Sequence, residues 1–180
     1  MGNHASKKLT EEQKFCQSLA YDFKYFCEIQ ARFEQGECGF CTLDSNINVV
    51  IYENEHWLVF ENAFKNTRPN RVMLVIISRQ HWRKLSQITK ADAWATFGQA
   101  IGEIEKRFKL PGGMLFLRFG DMRLNAGTMQ HLHWNLWVPD RRKGKKTGSY
   151  IPMVKTAADR KKDIARWKGF QKRYEAGERA

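Results

Sequence analysis

The chain has 180 residues, 42% of them hydrophobic and 13% aromatic, and a formal net charge of +12 at pH 7. This composition is typical of a globular domain with a sizeable core and argues against a disordered chain. No apolar run approaches the roughly 20 residues that span a bilayer. The polar start Met1–Lys8 lacks the apolar segment of a signal peptide, so we expect a cytoplasmic protein.

Hydrophobic spacing predicts the elements of the first half of the chain. Leu9–Gln35 is expected to be one helix that begins near Thr10 and ends at Gly36. The elements predicted after it are a hairpin of Asn48–Tyr52 and Trp57–Glu61, a central strand over Val72–Ile77, and a helical turn at His81–Leu85.

The second half is predicted to contain two helices and two strands. The predicted elements are a helix over Thr89–Phe108 capped by Thr89, a strand over Met114–Phe119, a strand over Thr128–Trp137, and a terminal helix over Ala157–Glu175. Four apolar residues are expected on one side of the terminal helix: Ile164, Trp167, Phe170 and Tyr174.

Polar residues alternate with apolar ones along the strand that ends at Trp137. Because side chains in a strand alternate between faces, His131, His133, Asn135 and Trp137 are expected to share one face. Imidazole and amide groups on an apolar strand require partners or a chemical role. The small residues Asn125-Ala126-Gly127-Thr128, just before this strand, suit a backbone cradle for an anion.

The four cysteines are Cys16, Cys27, Cys38 and Cys41. Without a secretory signal, Cys38-Gly39-Phe40-Cys41 is interpreted as a metal or redox pair in preference to a structural disulfide. With His81 and His131 the pair would make a Cys2His2 set for tetrahedral zinc. The alternative is a reducible pair with unrelated histidines. Cys16 and Cys27 are interpreted as small hydrophobic residues, and His4 and His56 as surface histidines without a role.

The ordered set of motifs resembles the histidine triad (HIT) superfamily, whose signature is His-φ-His-φ-His-φ-φ with φ apolar. His131-Leu132-His133-Trp134-Asn135-Leu136-Trp137 matches it except at the third position. Cys38-x-x-Cys41, the hairpin and the strand that leads to His81 occur in the expected order. The resemblance implies an α+β fold with a mostly antiparallel sheet and flanking helices. It divides the chain into an N-terminal helical extension (1–36), a HIT-like domain (37–139) and a basic C-terminal loop and helix (140–180).

This family hydrolyses or transfers nucleotidyl groups, so the resemblance implies an enzyme that attacks an α-phosphate through His133 and forms a nucleotidyl-histidine intermediate. It implies catalytic roles for His133, Asn135 and Thr128. Nucleotide-binding residues carried over are Asn62, Asn125, Gly127, Thr128, His133 and Asn135. It also implies a structural Zn²⁺ held by Cys38, Cys41, His81 and His131. Since family members are commonly dimers, it suggests a homodimer.

Asn135 departs from the family pattern, because the third triad position is histidine in hydrolytic members and glutamine in transferase branches. An amide can donate a hydrogen bond but cannot transfer a proton as an imidazolium can. This leaves open whether the chain is a hydrolase, a nucleotidyltransferase or a binding module. The hairpin around Phe60, Asn62 and Phe64 is expected to hold base and ribose, with simple core packing as the alternative.

Charge is concentrated at the C-terminal end. From Asp140 to Ala180 there are 14 Lys or Arg and 5 Asp or Glu, a net +9, which leaves +3 for the rest of the chain. The basic loop Arg141–Lys146 belongs to this region. Such asymmetry predicts a phosphate-bearing partner. The alternative function is therefore a non-catalytic nucleotide- or nucleic-acid-binding module, and the simplest alternative is a solvated helix. Met1–Lys8 also fits an N-myristoylation pattern, for which a chance match is the competing interpretation.

Overall fold

The computed structural model describes residues 9–43, 48–62, 70–125, 127–140 and 156–180. The described helices are α1 (Glu11–Ser18), α2 (Phe23–Gln35), α3 (Ala91–Phe108), α4 (Met122–Asn125) and α5 (Ala157–Glu175). The described strands are β1 (Val50–Glu53), β2 (Trp57–Glu61), β3 (Asn70–Ser78), β4 (Met114–Arg118) and β5 (His133–Pro139). These residues fall into two compact units. The helical unit contains 9–39, 121–130 without 126, and 156–180; the sheet unit contains the described residues of 40–120 and 131–140.

The sheet unit is built on five strands in the order β1-β2-β3-β5-β4, and every neighbouring pair is antiparallel. Asn54 closes the β1–β2 hairpin, because its side-chain oxygen accepts from the amides of His56 and Trp57 at 3.0 and 2.9 Å. β3 is central and buried from Val72 to Ser78. Its continuous apolar sequence follows from burial on both faces.

The two faces of β5 have different chemistry, as the alternation predicts. Leu132, Trp134, Leu136 and Val138 contribute to the core that α3 covers. His133, Asn135 and Trp137 lie on the opposite face, since they are paired with Ile77, Val75 and Met73 across the ladder to β3. The predicted start at Thr128 is wrong, because the strand begins at His133. Residues 121–130 pack in the helical unit, so pairing begins only after the chain has returned to the sheet.

Two local predictions around α3 are also wrong. The helix begins at Ala91 with Lys90 at its N-cap, and no side chain caps it, so Thr89 does not have the predicted role. His81 and its neighbours are not helical; one 3-10 turn follows at Leu85–Gln87. There the side-chain oxygen of Gln87 accepts from the amides of Arg83 and Lys84, which competes with helical bonding.

The helical unit begins with two helices where the sequence predicts one. α1 ends at Ser18, and Asp22 starts α2 by accepting from the amide of Tyr25 at 2.7 Å. This side-chain cap makes a new start more favourable than continuous helix. Gly36 ends α2 in the left-handed conformation, with φ of 73°. The buried residues of this unit are Cys16, Ala20, Phe23, Phe26, Ile29 and Met122.

α5 has the predicted bounds, Ala157–Glu175, and Thr156 caps it by accepting from the amide of Asp159 at 3.1 Å. Three of the four predicted apolar residues, Trp167, Phe170 and Tyr174, pack against the core of the helical unit. The prediction for Ile164 is wrong, since that side chain is exposed.

The protein thus has the predicted α+β architecture, a mostly antiparallel sheet with flanking helices. Within the described ranges, none of the helices combines the length and the hydropathy that a membrane crossing requires.

Trp57 offers a test of the sheet–helix contact. It is fully buried, and its indole nitrogen donates to the carbonyl of Ala93 on α3 at 2.6 Å. Trp57→Phe removes this donor and opens a small cavity, while the carbonyl still accepts from the Thr96 hydroxyl at 3.1 Å, so we expect the free energy of unfolding to fall by about 1–3 kcal/mol. Denaturant unfolding measures it. Trp94→Phe is the control, because Trp94 is 45% exposed; equal losses in the two variants would contradict this account.

Candidate functional site

His133 is the buried histidine at the start of β5, with 6% of its surface exposed. Its Nδ1 lies 2.7 Å from the carbonyl oxygen of His131. A carbonyl can only accept, so Nδ1 carries the proton and the lone pair of the neutral ring is on Nε2. Burial, followed by the charge of Arg118, lowers the pKa of His133 to about 4, against a raising effect of the hydrogen bond to His131.

Phe40 packs against the ring of His133. The two ring centroids are 5.1 Å apart and nearly perpendicular, and Phe40 makes a similar edge contact with His131 at 5.8 Å. Phe40 also packs on the apolar cluster of Phe60, Val75 and Ile77. Phe40, one of the two residues between Cys38 and Cys41, therefore restricts the orientation of the His133 imidazole.

Asn135 lies two positions after His133 on the same strand face, so the two side chains are about 7 Å apart along the strand. It is 6% exposed and sits between Val75 on β3 and Phe116 on β4. Among the described residues its Nδ2 has no hydrogen-bond partner. A buried amide donor without a partner costs free energy that a bound acceptor would recover.

Arg118 lies beside His133, and the sequence patterns did not single it out. It is the residue of β4 paired with His133, so both side chains project from the same face of the sheet. Its guanidinium lies 5.8 Å from the centre of the Phe116 ring. The available signal was the alternation Met114-x-Phe116-x-Arg118, which places a cation on the same strand face as two apolar side chains.

The four predicted metal ligands converge. Their ligand atoms, from Cys38, Cys41, His81 and His131, all lie within 4.8 Å of one another. Cys41 Sγ is 3.2 Å from His81 Nδ1 and 3.6 Å from His131 Nδ1. In tetrahedral zinc sites with Zn–S near 2.3 Å and Zn–N near 2.0 Å, a sulfur and a nitrogen ligand are about 3.5 Å apart. The donor set and its spacing therefore fit zinc.

The buried ring of His131 is oriented for a metal by its other nitrogen. Nε2 lies 2.8 Å from the carbonyl oxygen of Ser78 and 3.1 Å from the Ser78 hydroxyl. Donation from Nε2–H to the carbonyl leaves the lone pair on Nδ1, the nitrogen near Cys41. Burial lowers the pKa of His131 to about 4, and the charge of His81 acts in the same direction. A neutral imidazole is the form that binds zinc.

The predicted phosphate-binding residues Asn125, Gly127 and Thr128 belong to the helical unit. The amide of Gly127 donates to the side-chain oxygen of Asn125 at 2.8 Å, a local turn. The Thr128 hydroxyl is 2.6 Å from the Tyr25 hydroxyl, and its carbonyl accepts from the Cys16 thiol at 3.1 Å. Their contact with phosphate stays a prediction.

Asn62 directly follows β2, and its amide donates to the carbonyl of Met73 at 2.9 Å. Its expected contact with ribose also stays a prediction. Three other predictions fall outside the described residues: Phe64, the basic loop Arg141–Lys146, and the N-terminal pattern Met1–Lys8 with His4.

His56 is buried, so its interpretation as a surface histidine is wrong. Its Nε2 lies 3.2 Å from a carboxylate oxygen of Asp92 and 3.8 Å from one of Glu55. The hydrogen bond to His56 is the main cause that lowers the pKa of Asp92. Because Asp92 is in the first turn of α3, the pair connects the β1–β2 hairpin to that helix.

Comparisons with solved structures return histidine triad proteins. A histidine triad nucleotide-binding protein from Candida albicans is 17% identical, with 79% of this chain and all of that chain covered and a TM-score of 0.49. A HIT family hydrolase from Clostridium thermocellum is 20% identical, with 61% and 95% covered and a TM-score of 0.47. A Zn-bound histidine triad family protein from Mycobacterium smegmatis is 23% identical, with 78% and 97% covered and a TM-score of 0.44.

No protein-family model and no curated protein matches this sequence. At these identities and TM-scores, the function of the chain has to be inferred from its own residues.

Zinc binding can be tested without an activity. We expect the purified protein to carry one zinc ion per chain and Cys41→Ser to lose it, because a hydroxyl is a far weaker zinc ligand than a thiolate. Native mass spectrometry counts the bound metal. Cys27→Ser, at a half-buried cysteine on α2, is the matched control and should retain zinc. Wild-type protein with four free thiols and no metal after zinc is supplied would contradict the assignment.

Proposed function

We propose that this chain is a nucleotide-binding protein of the histidine triad type that hydrolyses or transfers nucleotidyl groups through His133. The observation that carries the proposal is the hydrogen bond from His133 Nδ1 to the carbonyl of His131, at 2.7 Å. It leaves the lone pair of a neutral, oriented imidazole on Nε2, which is what nucleophilic catalysis by histidine requires.

In the proposed reaction Nε2 attacks the α-phosphorus of a nucleotide conjugate. A P–N bond forms while the bond from phosphorus to the leaving oxygen or nitrogen breaks. Water or an acceptor then displaces the histidine, which regains its lone pair. Asn135 Nδ2, buried without a described partner, is proposed to donate to a non-bridging phosphate oxygen.

The other nucleotide contacts are carried over from the sequence resemblance. Thr128 is proposed to donate to a phosphate oxygen. Gly127 is proposed to do the same when its amide exchanges the Asn125 side-chain oxygen, which it bonds at 2.8 Å, for a phosphate oxygen, and Asn125 is then proposed to contact the nucleotide. Asn62 is proposed to bind the ribose hydroxyls. These four assignments depend on bound-nucleotide geometry, and a complex with a nucleoside monophosphate tests them directly.

Zinc, held by Cys38, Cys41, His81 and His131, would have a structural role, since four protein ligands close a tetrahedral site. In this proposal, His131 connects the metal site to the nucleophile. Its ring belongs to the ligand set, and its carbonyl accepts from His133. Fixing the position of His131 therefore fixes the tautomer and direction of the proposed nucleophile.

His133→Ala should abolish nucleotidyl transfer, with kcat reduced by at least about 10³-fold, because the intermediate has no other nitrogen on which to form. The assay is covalent labelling by nucleotides with a radioactive α-phosphate, followed by peptide mapping. His56→Gln is the control, since this buried histidine has no proposed contact with substrate. Thermal unfolding of both variants checks that the fold is retained. Label found on a different residue, or transfer undiminished in His133→Ala, would contradict the proposal.

Nucleic-acid binding is a second candidate function, favoured by the exposed cations of α5. Lys161, Lys168 and Lys172 are all exposed. Their spacing of seven and four residues places them on one helix face. A row of lysines on one face can contact successive phosphates of a polymer.

Replacing Lys161, Lys168 and Lys172 together with Gln should weaken binding to single-stranded RNA. We expect the slope of log affinity against log salt to become shallower by about 2, since each phosphate contact contributes about 0.7. Fluorescence anisotropy at several salt concentrations measures it. The matched control replaces the exposed Lys84, Lys90 and Lys106 of the sheet unit, with the same loss of charge. Equal effects from both triple variants would show that net charge alone explains the binding. That result would overturn nucleic-acid binding through α5 as a candidate function.

A further inference from the structure

Glu55, His56 and Asp92 form a second group of metal-binding side chains, at the contact between the β1–β2 hairpin and α3. Each offers one ligand atom, and the three atoms lie within 4.8 Å of one another. Because α3 covers the face of the sheet opposite to His133, this group is separate from the proposed active site. It also shares no residue with the zinc ligands.

His56 supplies the buried end of this group. Only 2% of its side chain is exposed, against 71% for Glu55 and 60% for Asp92. Its Nε2 lies 3.2 Å from an oxygen of Asp92, yet neither this oxygen nor any other described acceptor is aligned with it in a good hydrogen bond. A buried nitrogen in that state costs free energy, which a metal ion bound to its lone pair would recover.

Hydrogen bonds fix the position of His56 relative to α3. Its amide donates to the side chain of Asn54 at 3.0 Å, and its carbonyl accepts from the amide of Arg79 at 2.8 Å. The next residue, Trp57, is bonded through its indole to the first turn of α3 at 2.6 Å, and that turn contains Asp92. The imidazole and one carboxylate are therefore positioned before a ligand arrives, which lowers the entropic cost of binding.

The spacing of the three atoms fits an octahedral cation. Neighbouring ligands at about 2.1–2.4 Å from such a cation are about 3.0–3.4 Å apart. His56 Nε2 and the Asp92 oxygen are 3.2 Å apart, and the Glu55 oxygen, on an exposed side chain that is free to rotate, is 3.8 Å from Nε2. Carboxylates and water suit Mg²⁺, Ca²⁺ and Mn²⁺, whereas imidazole suits transition metals, so Mn²⁺ meets both requirements.

Two positive charges oppose a cation at this position. Lys90 Nζ lies 4.0 Å from the Glu55 oxygen, and Asp92 is in the first turn of α3, where the helix dipole is positive. The lysine and the glutamate are both exposed, so their ion pair is weak and a metal can displace it. We therefore expect modest affinity, with Kd on the order of 10⁻⁴ M, as in the weaker protein sites for divalent cations. A site this weak releases its metal during purification, so the expected count of one zinc ion per chain is unchanged.

We propose that Glu55, His56 and Asp92 bind Mn²⁺, with water in its remaining coordination positions, and that the bound cation stabilises the contact between the β1–β2 hairpin and α3. The imidazole binds through Nε2 in its neutral form, and the two carboxylates offset the charge of the cation.

Electron paramagnetic resonance of the full-length protein tests the proposal. The protein is first loaded with zinc, so that the cysteine-containing site is filled before Mn²⁺ is added. Mn²⁺ in solution gives a sharp signal that weakens on binding, and a titration should show one saturable site per chain. Pulsed measurements on the bound ion should detect coupling to a nitrogen nucleus, which identifies the imidazole. Mg²⁺ at an equal concentration should displace little Mn²⁺, because Mg²⁺ prefers oxygen ligands.

Substitutions assign the ligands. His56→Gln and Asp92→Asn should each weaken Mn²⁺ binding by at least about tenfold. Asp92 is exposed, so its variant remains informative if the change at the buried His56 disturbs folding. Lys90→Gln should strengthen binding by about two- to fivefold, because it removes a competing cation. Glu103→Gln is the matched control, with the same loss of charge on α3 about 16 Å from Asp92, and should bind as the wild type does.

Thermal unfolding gives an independent measurement. Saturating Mn²⁺ should raise the Tm of the wild type and of Glu103→Gln but not that of Asp92→Asn. Mn²⁺ that stays free up to about 5 mM would overturn the proposal, since the weakest protein sites for divalent cations have Kd on the order of 10⁻³ M. Bound Mn²⁺ without nitrogen coupling, or displaced equally well by Mg²⁺, would overturn it by showing a carboxylate pair that does not use His56. Equal weakening in Glu103→Gln and Asp92→Asn would overturn it in favour of net charge.

Discussion

Two hydrogen bonds of His131 orient the centre of the sheet unit. Its ring donates from Nε2 to the carbonyl of Ser78 at 2.8 Å, and its own carbonyl accepts from His133 at 2.7 Å. Both acceptors are carbonyls, so each bond permits one tautomer of the ring that donates to it. The first leaves Nδ1 of His131 available near Cys41, and the second leaves the lone pair of His133 on Nε2. A displacement of His131 would therefore disturb the metal-ligand set and the proposed nucleophile together.

Asn135 and Arg118 lie beside His133 on one face of the sheet. Asn135 carries an amide, which donates a hydrogen bond but transfers no proton, while Arg118 places a permanent cation at the strand position paired with His133. Neither residue alone indicates a type of reaction. An amide also occurs in binding modules, and an arginine at a strand end also occurs on ordinary surfaces. In the proposed reaction, the two residues would stabilise negative charge and would not supply a proton.

Sequence patterns were sufficient where burial alone decides the structure. The continuous apolar run of β3 was confirmed because its residues are buried on both faces of the sheet. The alternation of β5 was confirmed because its apolar residues enter the core that α3 covers, while His133 and Asn135 lie on the opposite face. Predictions were wrong where one side-chain contact decides, as at Asp22, which starts α2, and at Gln87, which bonds the turn after β3. Arg118 was missed because its role depends on its register against His133, and pairing between strands is not encoded in the local sequence of either strand.

The N-terminal helices have a more specific role than a peripheral extension. Within the helical unit they hold both ends of the segment 121–130: Glu12 accepts from the amide of Met122 at 3.0 Å and from the side chain of Gln130 at 2.7 Å. Cys16 and Tyr25 bind Thr128 between these points. Burial raises the pKa of the Cys16 thiol and raises that of Tyr25 to about 12, so both groups remain protonated. The loop that precedes β5 in sequence thus takes its conformation from α1 and α2. These helices would therefore support any phosphate site that Gly127 and Thr128 form.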